Sequence, residues 1–565
     1  MAPQETTTVE AEPTPVDTGP ETTDPGAADT TPADRGRVRR VLRWTGTVLA
    51  GLLVYTALAA PERLSQLTPM AFLRIPLEGL LLAVVLLALG PRTRRVVAVL
   101  GGVGLGLLTI LNAINMGFYG VLDRAFDPVL DWPLVADAVE YVWRSSGRAV
   151  AIGGLILAGL LVIGLLVVMA LAMLRLTRLA VAHRTATVRT VAVLTVVWTA
   201  CALVNLQLVP KVKVADNNRA ALAYYSALRI PAGIRDRQAF ANEAAVDAYR
   251  NTPGNQLLTG LRGKDVMITF VESYGKIAIE DPEFAPLMDP VLANGNSQLR
   301  AAGFAARSAF MTSSTFGGGS WFAHSTLLSG LWINNQQRYR NLLASDRLTL
   351  NKAFKRAGWR TADVEPAVSR SWPEASFYGS DQLLSAQNLG YKGGLFNFSS
   401  IPDQYTLSAF QRTERGPDHP PTFAELVLLS SHTPWTPLPR MVDWNAVGDG
   451  SVYQGMPETG QVKGGVRAAY IQAIQYSVST LISYLLTYGG DNLVLVFLGD
   501  HQPPPVVGGG GISHDVPITI VAKDPKVLDQ ISGWGWQDGL KPGPTAPVWR
   551  MNDFRDRFLS TFGPR

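Results

Sequence analysis

The sequence contains little cysteine and little charge. Cys201 is the single cysteine among 565 residues, so an internal disulfide is excluded and every domain is stable without one. Charged residues make up 17% of the chain, against about a quarter in an ordinary soluble protein. The shortage lies in the first 210 residues, which have the composition of a membrane region. The modest net charge of +5 gives no indication of a nucleic-acid partner.

The N-terminal segment, residues 1–34, is rich in Pro, Thr, Ala, Asp and Glu. It contains eight acidic residues and no Lys or Arg. A segment of this kind buries too little apolar surface to offset the entropy of folding, so it is predicted to be a disordered acidic tail. A solvating role without a specific partner is the simplest interpretation.

Five apolar stretches follow within residues 35–209. Each is close to the roughly 20 residues that a helix needs to cross the hydrocarbon core of a bilayer. They lie near residues 41–60, 70–90, 96–117, 149–174 and 189–209. The second is the weakest, because Arg74 and Glu78 lie in its first turns. Four positions apart on one helix, these two side chains are expected to pair.

Arginines are distributed unequally between the two ends of these stretches. Clusters precede the first stretch, separate the second from the third, and separate the fourth from the fifth: Arg35, Arg37, Arg39, Arg40, Arg43, Arg92, Arg94, Arg95, Arg175, Arg178, Arg184 and Arg189. The intervening loops hold fewer basic residues. By the positive-inside rule the N-terminus is cytoplasmic, and five spans then place everything after Val209 on the extracytoplasmic side.

The rest of the chain divides into a linker and an α/β domain. Residues 210–263 are Ala-rich with charged segments and are predicted to form an amphipathic helical linker near the membrane surface. From Lys264, short β-rich runs alternate with helical segments, a pattern typical of a largely parallel sheet covered by helices. We assign residues 264–540 to this domain and residues 541–565 to a C-terminal tail.

Three predicted strands end in side chains that are able to hold a metal ion. Glu272 follows one apolar run, Asp500 and His501 follow a second, and His432 follows a third. The carboxyl ends of parallel strands share one edge of a sheet, where ligands bind in such folds. Two carboxylates and an imidazole at that edge suit Zn²⁺ or Mn²⁺. For Glu272 alone, a solvated loop acid is the simpler alternative.

A glycine-rich segment supplies a candidate nucleophile. Three glycines precede Ser320 and an apolar helical pattern follows it, so Ser320 is predicted at a helix N-terminus, where free N–H groups favour an anion. A hydroxyl there that also binds a divalent metal ion is able to attack phosphorus. A plain serine N-cap is the simpler interpretation of this segment alone. His324, one turn later, and His514 are further candidates.

In this order, the features resemble the membrane-bound branch of the alkaline phosphatase superfamily. The layout is similar to that of lipoteichoic acid synthases, phosphoglycerol transferases and phosphoethanolamine transferases. This resemblance implies about five transmembrane helices followed by an extracytoplasmic α/β domain of the alkaline phosphatase and sulfatase type. It also implies a multi-pass protein of a bacterial-type cell membrane.

The resemblance implies roles for individual residues. Glu272, Ser320, Asp500 and His501 match the ligands of one divalent metal ion, with Mn²⁺ expected rather than Zn²⁺. Ser320 also matches the nucleophile. Since that nucleophile is usually a threonine in these transferases, Thr315 is a rival.

Three further residues are candidates for binding the substrate. His432 matches a histidine that holds the substrate phosphate, and Trp372 lies in a segment that resembles the headgroup-binding region. His514 is added from its position before a strand. A true sulfatase is excluded, because the residues after Ser320 lack the Pro or Ala and the Arg of the motif that matures to formylglycine.

The hypothesis that follows is a phosphotransferase with a covalent phosphoserine intermediate. It moves a phosphoglycerol-type headgroup from a phosphatidylglycerol-like lipid in the bilayer to an envelope glycan or polymer, with no nucleic-acid partner. One alternative is a phosphodiesterase or phosphatase of the same superfamily that transfers to water. Another, from a different class, is a catalytically inactive membrane-anchored sensor or scaffold.

Overall fold

The structure of this chain is a computed structural model that describes residues 32–209, 212–369, 372–397, 400–456 and 464–564. It confirms the predicted fold class, a helical membrane region followed by an α/β domain. The predicted acidic tail lies outside the described residues, except for its last three, which belong to the first helix.

The N-terminal half is helical. Its helices are α1 Pro32–Ala59, α2 Leu77–Ala88, α3 Pro91–Leu122, α4 Trp132–Ser146, α5 Arg148–Ala182, α6 Arg184–Leu203 and α7 Asn218–Ala245. Within the described residues, four segments are long and apolar enough to cross a membrane: Arg40–Ala59, Pro91–Leu122, Arg148–Ala182 and Arg184–Leu203. These helices mark the chain as a membrane-anchored protein.

The second predicted span is shorter in the structure than in the sequence analysis. Residues 70–90 begin in an irregular segment, and the helix α2 has only 12 residues. At 1.5 Å per residue it is about 18 Å long, which is less than the roughly 30 Å of a hydrocarbon core. The helix begins only after Pro76, whose backbone is extended and which occupies the N-cap position, and it ends at Ala88. The count of five complete spans therefore stays a prediction.

Helix α2 nevertheless reverses the direction of the chain inside the bundle. A methyl group at Gly79, near its start, would lie 3.1 Å from Leu58 at the end of α1. Midway along α2, Leu82 lies against Gly101 of α3. The end of α1 and the start of α2 therefore share one side of the bundle, which is also the side of the α/β domain.

The predicted pair of Arg74 and Glu78 is wrong. Arg74 lies 3.7 Å from Asp216, beside a short parallel bridge of β1 Ile75–Pro76 with β4 Ala215–Asp216. Glu78 instead accepts a hydrogen bond from the backbone N–H of Ala220 in the first turn of α7. Both partners lie more than 130 residues away in sequence, which is why the local spacing misled the prediction.

The α/β domain is built on one nine-stranded mixed sheet. Two small strands, β2 Gln207–Val209 and β3 Val212–Lys213, precede this sheet and form a separate pair. The strands of the nine-stranded sheet are β5 Asp265–Val271, β6 Ala305–Thr312, β7 Arg360–Glu365, β8 Gln382–Ser385, β9 Thr422–Leu428, β10 Leu493–Gly499, β11 Asp515–Ala522, β12 Gln537–Asp538 and β13 Val548–Arg550. They lie in the order β12-β6-β11-β10-β5-β9-β7-β8, with β13 paired to β6. The five strands from β10 to β8 are mutually parallel, so their carboxyl ends share one edge.

Helices cover both faces of the sheet, and each face has its own apolar core. The remaining helices are α8 Ile277–Glu280, α9 Ala285–Ala301, α10 Ser320–Ser329, α11 Gln336–Leu343, α12 Leu350–Arg356, α13 Ala375–Tyr378, α14 Asp403–Glu414, α15 Gly465–Tyr488, α16 Pro505–Gly508, α17 Pro525–Gln530 and α18 Asp553–Thr561. Strands β5, β9 and β10 are buried along their whole length, as expected for parallel strands covered on both faces.

The predicted C-terminal tail is part of the domain. Strand β13 pairs with β6, and α18 buries Phe554, Phe558 and the whole side chain of Arg555. The charged and aromatic residues of this segment alternate with helical spacing, which places Phe554 and Phe558 on one buried face. The domain therefore extends from its first strand to the end of the described chain.

Candidate active site

Two neighbouring parallel strands place three predicted metal ligands side by side. Glu272 follows β5, and Asp500 and His501 follow β10, whose Gly499 is in register with Val271. All three side chains are nearly inaccessible to solvent, with Asp500 fully buried. Their ligand atoms lie within 4.8 Å of one another. The sequence prediction that these groups converge at one sheet edge therefore agrees with the geometry.

Ser320 completes this cluster. Its Oγ lies 2.9 Å from Oε2 of Glu272 and 3.2 Å from Nε2 of His501. Nε2 of His501 is also 3.4 Å from Oε1 of Glu272 and 3.5 Å from Oδ2 of Asp500. Ser320 itself is only partly buried, so its hydroxyl is the member of the cluster that is open to a substrate.

The local sequence explains how Ser320 reaches this position. It is the first residue of the ten-residue helix α10, and the preceding Gly319 has a φ of 77°, a left-handed conformation that favours glycine. The free N–H groups of the first helical turn favour an anion beside the hydroxyl. A phosphate group bound at Ser320 would therefore meet backbone donors as well as the cluster.

The four residues fit a divalent metal ion. Oδ2 of Asp500 is buried and has no hydrogen-bond partner among the described residues. Buried polar atoms are normally paired, so this oxygen is suited to bind a cation. Nδ1 of His501 lies 2.8 Å from the carbonyl oxygen of Gln502, an arrangement that places the proton on Nδ1 and leaves Nε2 free to bind metal. Three oxygen donors and one imidazole suit Mn²⁺ or Zn²⁺.

The two carboxylates have opposite pKa shifts. Burial alone would raise the pKa of Glu272, but the imidazoles of His501 and His432 lower it to about 2. Burial raises the pKa of Asp500 well above its usual value, and the neighbouring charge of Glu272 adds to the effect. Two carboxylates in one buried site repel each other in this way unless a cation lies between them.

Several serines that the sequence analysis missed hold the ligands in place. The Ser273 hydroxyl donates to Oε1 of Glu272 at 2.8 Å, and its backbone N–H donates to Oδ1 of Asp500 at 2.7 Å. Ser431 donates to the carbonyl of Glu272, and Ser313 donates to the carbonyl of Asp500. Ser273 has a φ of 57°, a strained conformation for a residue other than glycine. Its position directly after Glu272 was the one available signal.

Thr315, the rival nucleophile, lies in the same loop but is engaged elsewhere. Its hydroxyl donates a hydrogen bond to the carbonyl of Gly318, which closes the turn before α10. Its backbone N–H is 3.3 Å from the hydroxyl of Ser313. None of these contacts involves Glu272, Asp500 or His501. The geometry therefore favours Ser320 over Thr315.

Two predicted substrate-binding histidines lie near the cluster. His432 is partly buried and close enough to lower the pKa of Glu272, and its Nδ1 lies 2.6 Å from the carbonyl of Thr433. His514 packs its ring against Phe316, with ring centroids 5.2 Å apart. Burial lowers the pKa of His514, and the nearby His501 adds to this effect.

Trp372 and His324 both pack near α10. Trp372 stacks on Tyr378 at 5.9 Å between ring centroids, and Tyr378 is hydrogen-bonded to Ser325 of α10. Trp372 therefore packs against an aromatic residue that is attached to this helix. His324 stacks on Phe270 beneath α10 and does not hydrogen-bond to the residues of the cluster.

The end of helix α3 touches the loop that carries Ser320. A methyl group at Gly317 would lie 1.9 Å from the carbonyl oxygen of Val121 in the last turn of α3, so glycine alone fits there. The next residue after α3, Asp123, pairs with Arg63 at 2.6 Å. The same carboxylate accepts a hydrogen bond from the backbone of Gly511 in the α/β domain. The site therefore lies directly against the helical bundle.

Several solved structures are similar to this chain. A protein in the alkaline phosphatase superfamily from Vibrio parahaemolyticus is 15% identical, with 55% of this chain and 68% of that chain covered and a TM-score of 0.35. The lipoteichoic acid synthase LtaP from Listeria monocytogenes is 14% identical, with 59% and 78% covered and a TM-score of 0.35.

A third similar structure contains a membrane region. It is the integral membrane lipooligosaccharide phosphoethanolamine transferase A from Neisseria meningitidis, 13% identical, with 91% of this chain and 94% of that chain covered and a TM-score of 0.43. No protein-family model and no curated protein sequence matches the chain. At these identities the likeness concerns the fold alone, and the activity has to follow from the residues of the site.

Proposed function

We propose that this chain is a metal-dependent phosphotransferase. It moves a phosphoglycerol-type headgroup from a membrane phospholipid to a hydroxyl group of an envelope glycan or polymer. The observation that carries the proposal is the placement of the hydroxyl of the partly buried Ser320 within 3.2 Å of both Glu272 and His501. The unpartnered Oδ2 of Asp500 beside them supports a metal-dependent site rather than a structural serine.

The reaction proceeds in two displacements at phosphorus. In the first, Oγ of Ser320 forms a bond to phosphorus as the bond to the diacylglycerol oxygen breaks. The Ser320 proton leaves during the attack, and the diacylglycerol oxygen takes up a proton. In the second, a hydroxyl of the acceptor attacks the same phosphorus and loses its proton. The bond to Ser320 breaks and its hydroxyl is restored.

The residues of the site have different roles in these two displacements. Glu272 accepts a hydrogen bond from Ser320 and orients the attacking oxygen. The first turn of α10 directs N–H groups toward the phosphate oxygens, and His432 positions the phosphate. A divalent ion held by Glu272, Ser320, Asp500 and His501, when bound, lowers the pKa of the hydroxyl and neutralises charge on the phosphate. Because oxygen donors predominate, Mn²⁺ is the expected ion and Zn²⁺ the alternative.

The contact with α3 supports a lipid as the donor. Val121 ends a helix that is apolar enough to cross a membrane, and it touches the loop that begins three residues before Ser320. A headgroup at the membrane surface therefore reaches the hydroxyl without leaving the bilayer. The arginine-rich ends of the helices lie on the other side of the bundle, which supports an extracytoplasmic location for the site.

The four ligand positions also argue against an inactive scaffold. Each of them has a side chain that is able to bind metal or to attack phosphorus, and Glu272 and Asp500 are held by further hydrogen bonds from Ser273. An inactive descendant has no need to keep a buried, unpartnered carboxylate oxygen, which costs stability. Transfer to water instead of an acceptor uses the same residues and is distinguished by the product.

The test uses purified full-length protein in detergent with fluorescent phosphatidylglycerol. We expect Mn²⁺-dependent release of diacylglycerol by the wild type and none by Ser320→Ala, with the glycerol phosphate found on an added hydroxyl acceptor. Ser325→Ala, on the same helix, is the matched control and keeps activity. Free glycerol phosphate alone would indicate a hydrolase. Undiminished release by Ser320→Ala would refute the proposal.

A further inference from the structure

A second group of acidic side chains, buried except for the partly buried Glu365, lies beneath helix α10. We call it the acidic cluster; it contains Asp363 and Glu365 of β7, Glu425 of β9, and His324 of α10. Asp363 and Glu425 are direct register partners on adjacent parallel strands. Like charges directly opposite each other destabilise a sheet, so this pairing needs a compensating partner.

The ligand atoms of this cluster converge. One nitrogen of His324 and one carboxylate oxygen each from Glu365 and Glu425 lie within 4.8 Å of one another. Nδ1 of His324 is 3.8 Å from Oε1 of Glu425. Stacking on Phe270, with 4.0 Å between ring centroids, fixes the orientation of the imidazole.

Within the described part of the chain, no Lys or Arg side chain pairs with these carboxylates. Asp363 accepts hydrogen bonds from Asn351 and Ser380, both at 2.8 Å, and Asn351 also reaches Glu425 at 3.4 Å. The described partners of these carboxylates are therefore neutral hydrogen-bond donors.

Unpartnered atoms on neutral side chains supply a second, independent observation. Nε2 of His324 has no hydrogen-bond partner among the described residues, although the side chain is only 7% exposed. Oδ1 of Asn351, which is 1% exposed, has none either. A buried imidazole and amide oxygen without partners beside acidic groups are typical of a cation site.

We propose that His324, Glu365 and Glu425 bind a second divalent metal ion, separate from the ion of the Ser320 site. Asp363 and Asn351 support it, the first by its charge and the second through its hydrogen bonds to Asp363 and Glu425. One imidazole among carboxylate oxygens suits Mn²⁺, Zn²⁺ or Fe²⁺ rather than Ca²⁺. The ion neutralises the facing carboxylates of β7 and β9 and joins α10 to the sheet.

The proposed ion lies near Ser320 but takes no part in the reaction. His324 lies one helical turn after Ser320, and Phe270 lies two residues before Glu272. A ligand bond from His324 to an ion held by the strands therefore fixes the helix whose first residue is the nucleophile. The ion is a positioning element, and the inference does not depend on the proposed reaction.

The experiment counts metal ions. Full-length protein in detergent is stripped with a chelator, dialysed against Mn²⁺ or Zn²⁺, passed through a desalting column, and analysed for metal per chain by plasma mass spectrometry. We expect two ions in the wild type, one in Glu425→Gln, one in Asp500→Asn and none in the double variant. Glu414→Gln, a buried glutamate paired with Arg360 and outside the cluster, is the matched control and keeps two.

Folding is followed in parallel, because loss of the ion lowers stability. Addition of metal to stripped protein is expected to raise the melting temperature of both the wild type and Asp500→Asn. The rise is expected to be smaller in Glu425→Gln and in His324→Gln. A wild type that binds a single ion, lost in Asp500→Asn and kept in Glu425→Gln, would overturn the proposal. Since the count is independent of turnover, a failed lipid assay does not affect it.

Discussion

Ser320 and Glu272 are 48 positions apart in the sequence, yet Oγ of the serine lies 2.9 Å from a carboxylate oxygen of the glutamate. The sheet brings one residue to this point and the start of α10 brings the other. Their contact depends on the glycine-rich loop before Ser320, on the register of β5 with β10, and on the packing of that loop against α3.

The identity of the nucleophile is tested by two hydroxyl variants. Ser320→Thr keeps a hydroxyl at the helix N-terminus and is expected to retain measurable transfer, whereas Ser320→Ala loses at least about 10³-fold. Thr315→Val removes only the turn-closing hydrogen bond and is expected to cost stability rather than the chemical step. Rates under single-turnover conditions decide between them. If Thr315→Val were as inactive as Ser320→Ala in a folded protein, Thr315 would be the better candidate.

The packing of the glycine-rich loop before Ser320 against α3 is tested at Gly317. This residue has a φ of 68° and faces the carbonyl of Val121, so Gly317→Ala forces the loop and the helix apart. We expect transfer from lipid to fall by about tenfold or more, since a displacement near 1 Å is enough for losses of that order. Metal content should not change.

The matched control for that variant is Gly535→Ala. Gly535 has a φ of 72° but open space around it, so this change carries the same backbone strain without a clash. Equal losses in the two variants would show that strain alone, and not the contact with α3, explains the effect.

Metal dependence is tested at Asp500. Asp500→Asn keeps the size of the side chain but removes the charge beside Glu272, and we expect at least about a 10³-fold loss of transfer that added Mn²⁺ does not restore. Chelation of the wild type should give a similar loss that Mn²⁺ reverses. Asp403→Asn, a buried aspartate hydrogen-bonded to Ser430 and Ser477, is the control for a general effect of burial. Chelator-resistant activity in the wild type would contradict metal dependence.

A buried ion pair joins the linker to the C-terminal helix. Asp247, directly after α7, accepts a hydrogen bond from Arg555 of α18 at 2.9 Å, and the Arg555 side chain is fully buried. Asp247→Asn leaves that guanidinium with only the half-exposed Asp556 as an acidic partner, so we expect a loss of about 3 to 5 kcal/mol. Asp556→Asn removes a half-exposed partner of the same arginine and should cost less than about 1 kcal/mol. Thermal unfolding of the two variants measures the difference.

The same pair predicts a loss of stability in acid. Burial alone would raise the pKa of Asp247, but the Arg555 guanidinium holds it below its usual value of 3.8. A carboxyl group with a lowered pKa stabilises the fold above its unfolded value, and this contribution is lost as the pH falls through the lowered pKa. Between pH 7 and pH 5 the contribution should be constant, and below about pH 4 it should shrink. Asp247→Asn should abolish that part of the acid dependence.

Much of the site could be predicted from the sequence because its functional side chains lie directly after strands. A carboxylate or imidazole directly after an apolar run is visible in the sequence, and parallel strands bring such residues together at one edge. Glu272, Asp500 and His501 were found in this way. The hydroxyl of Ser320 was found by the glycines before it. Ser273 was missed, because nothing in its type distinguishes a serine that orients a ligand from one on a surface.

Long-range packing accounts for the rest. The last 25 residues look like a tail by their polarity, but β13 finds a partner in β6 more than 200 residues earlier. The acidic cluster did carry a signal, since Glu425 lies inside the largely apolar strand β9 and Asp363 lies between two apolar residues of β7. That signal can be interpreted only when β7 and β9 are known to be neighbouring strands. No local sequence pattern predicts this pairing.

Helix α3 is continuous from Pro91 to Leu122, a rod of about 48 Å at 1.5 Å per residue. One end carries three arginines and the other touches the loop of the nucleophile. A helix responds to a thicker or thinner bilayer mainly by changing its tilt. For a rod of this length, a change of about 5° moves one end by roughly 4 Å relative to the other. We therefore expect a change of bilayer thickness to reach the Ser320 hydroxyl through this helix.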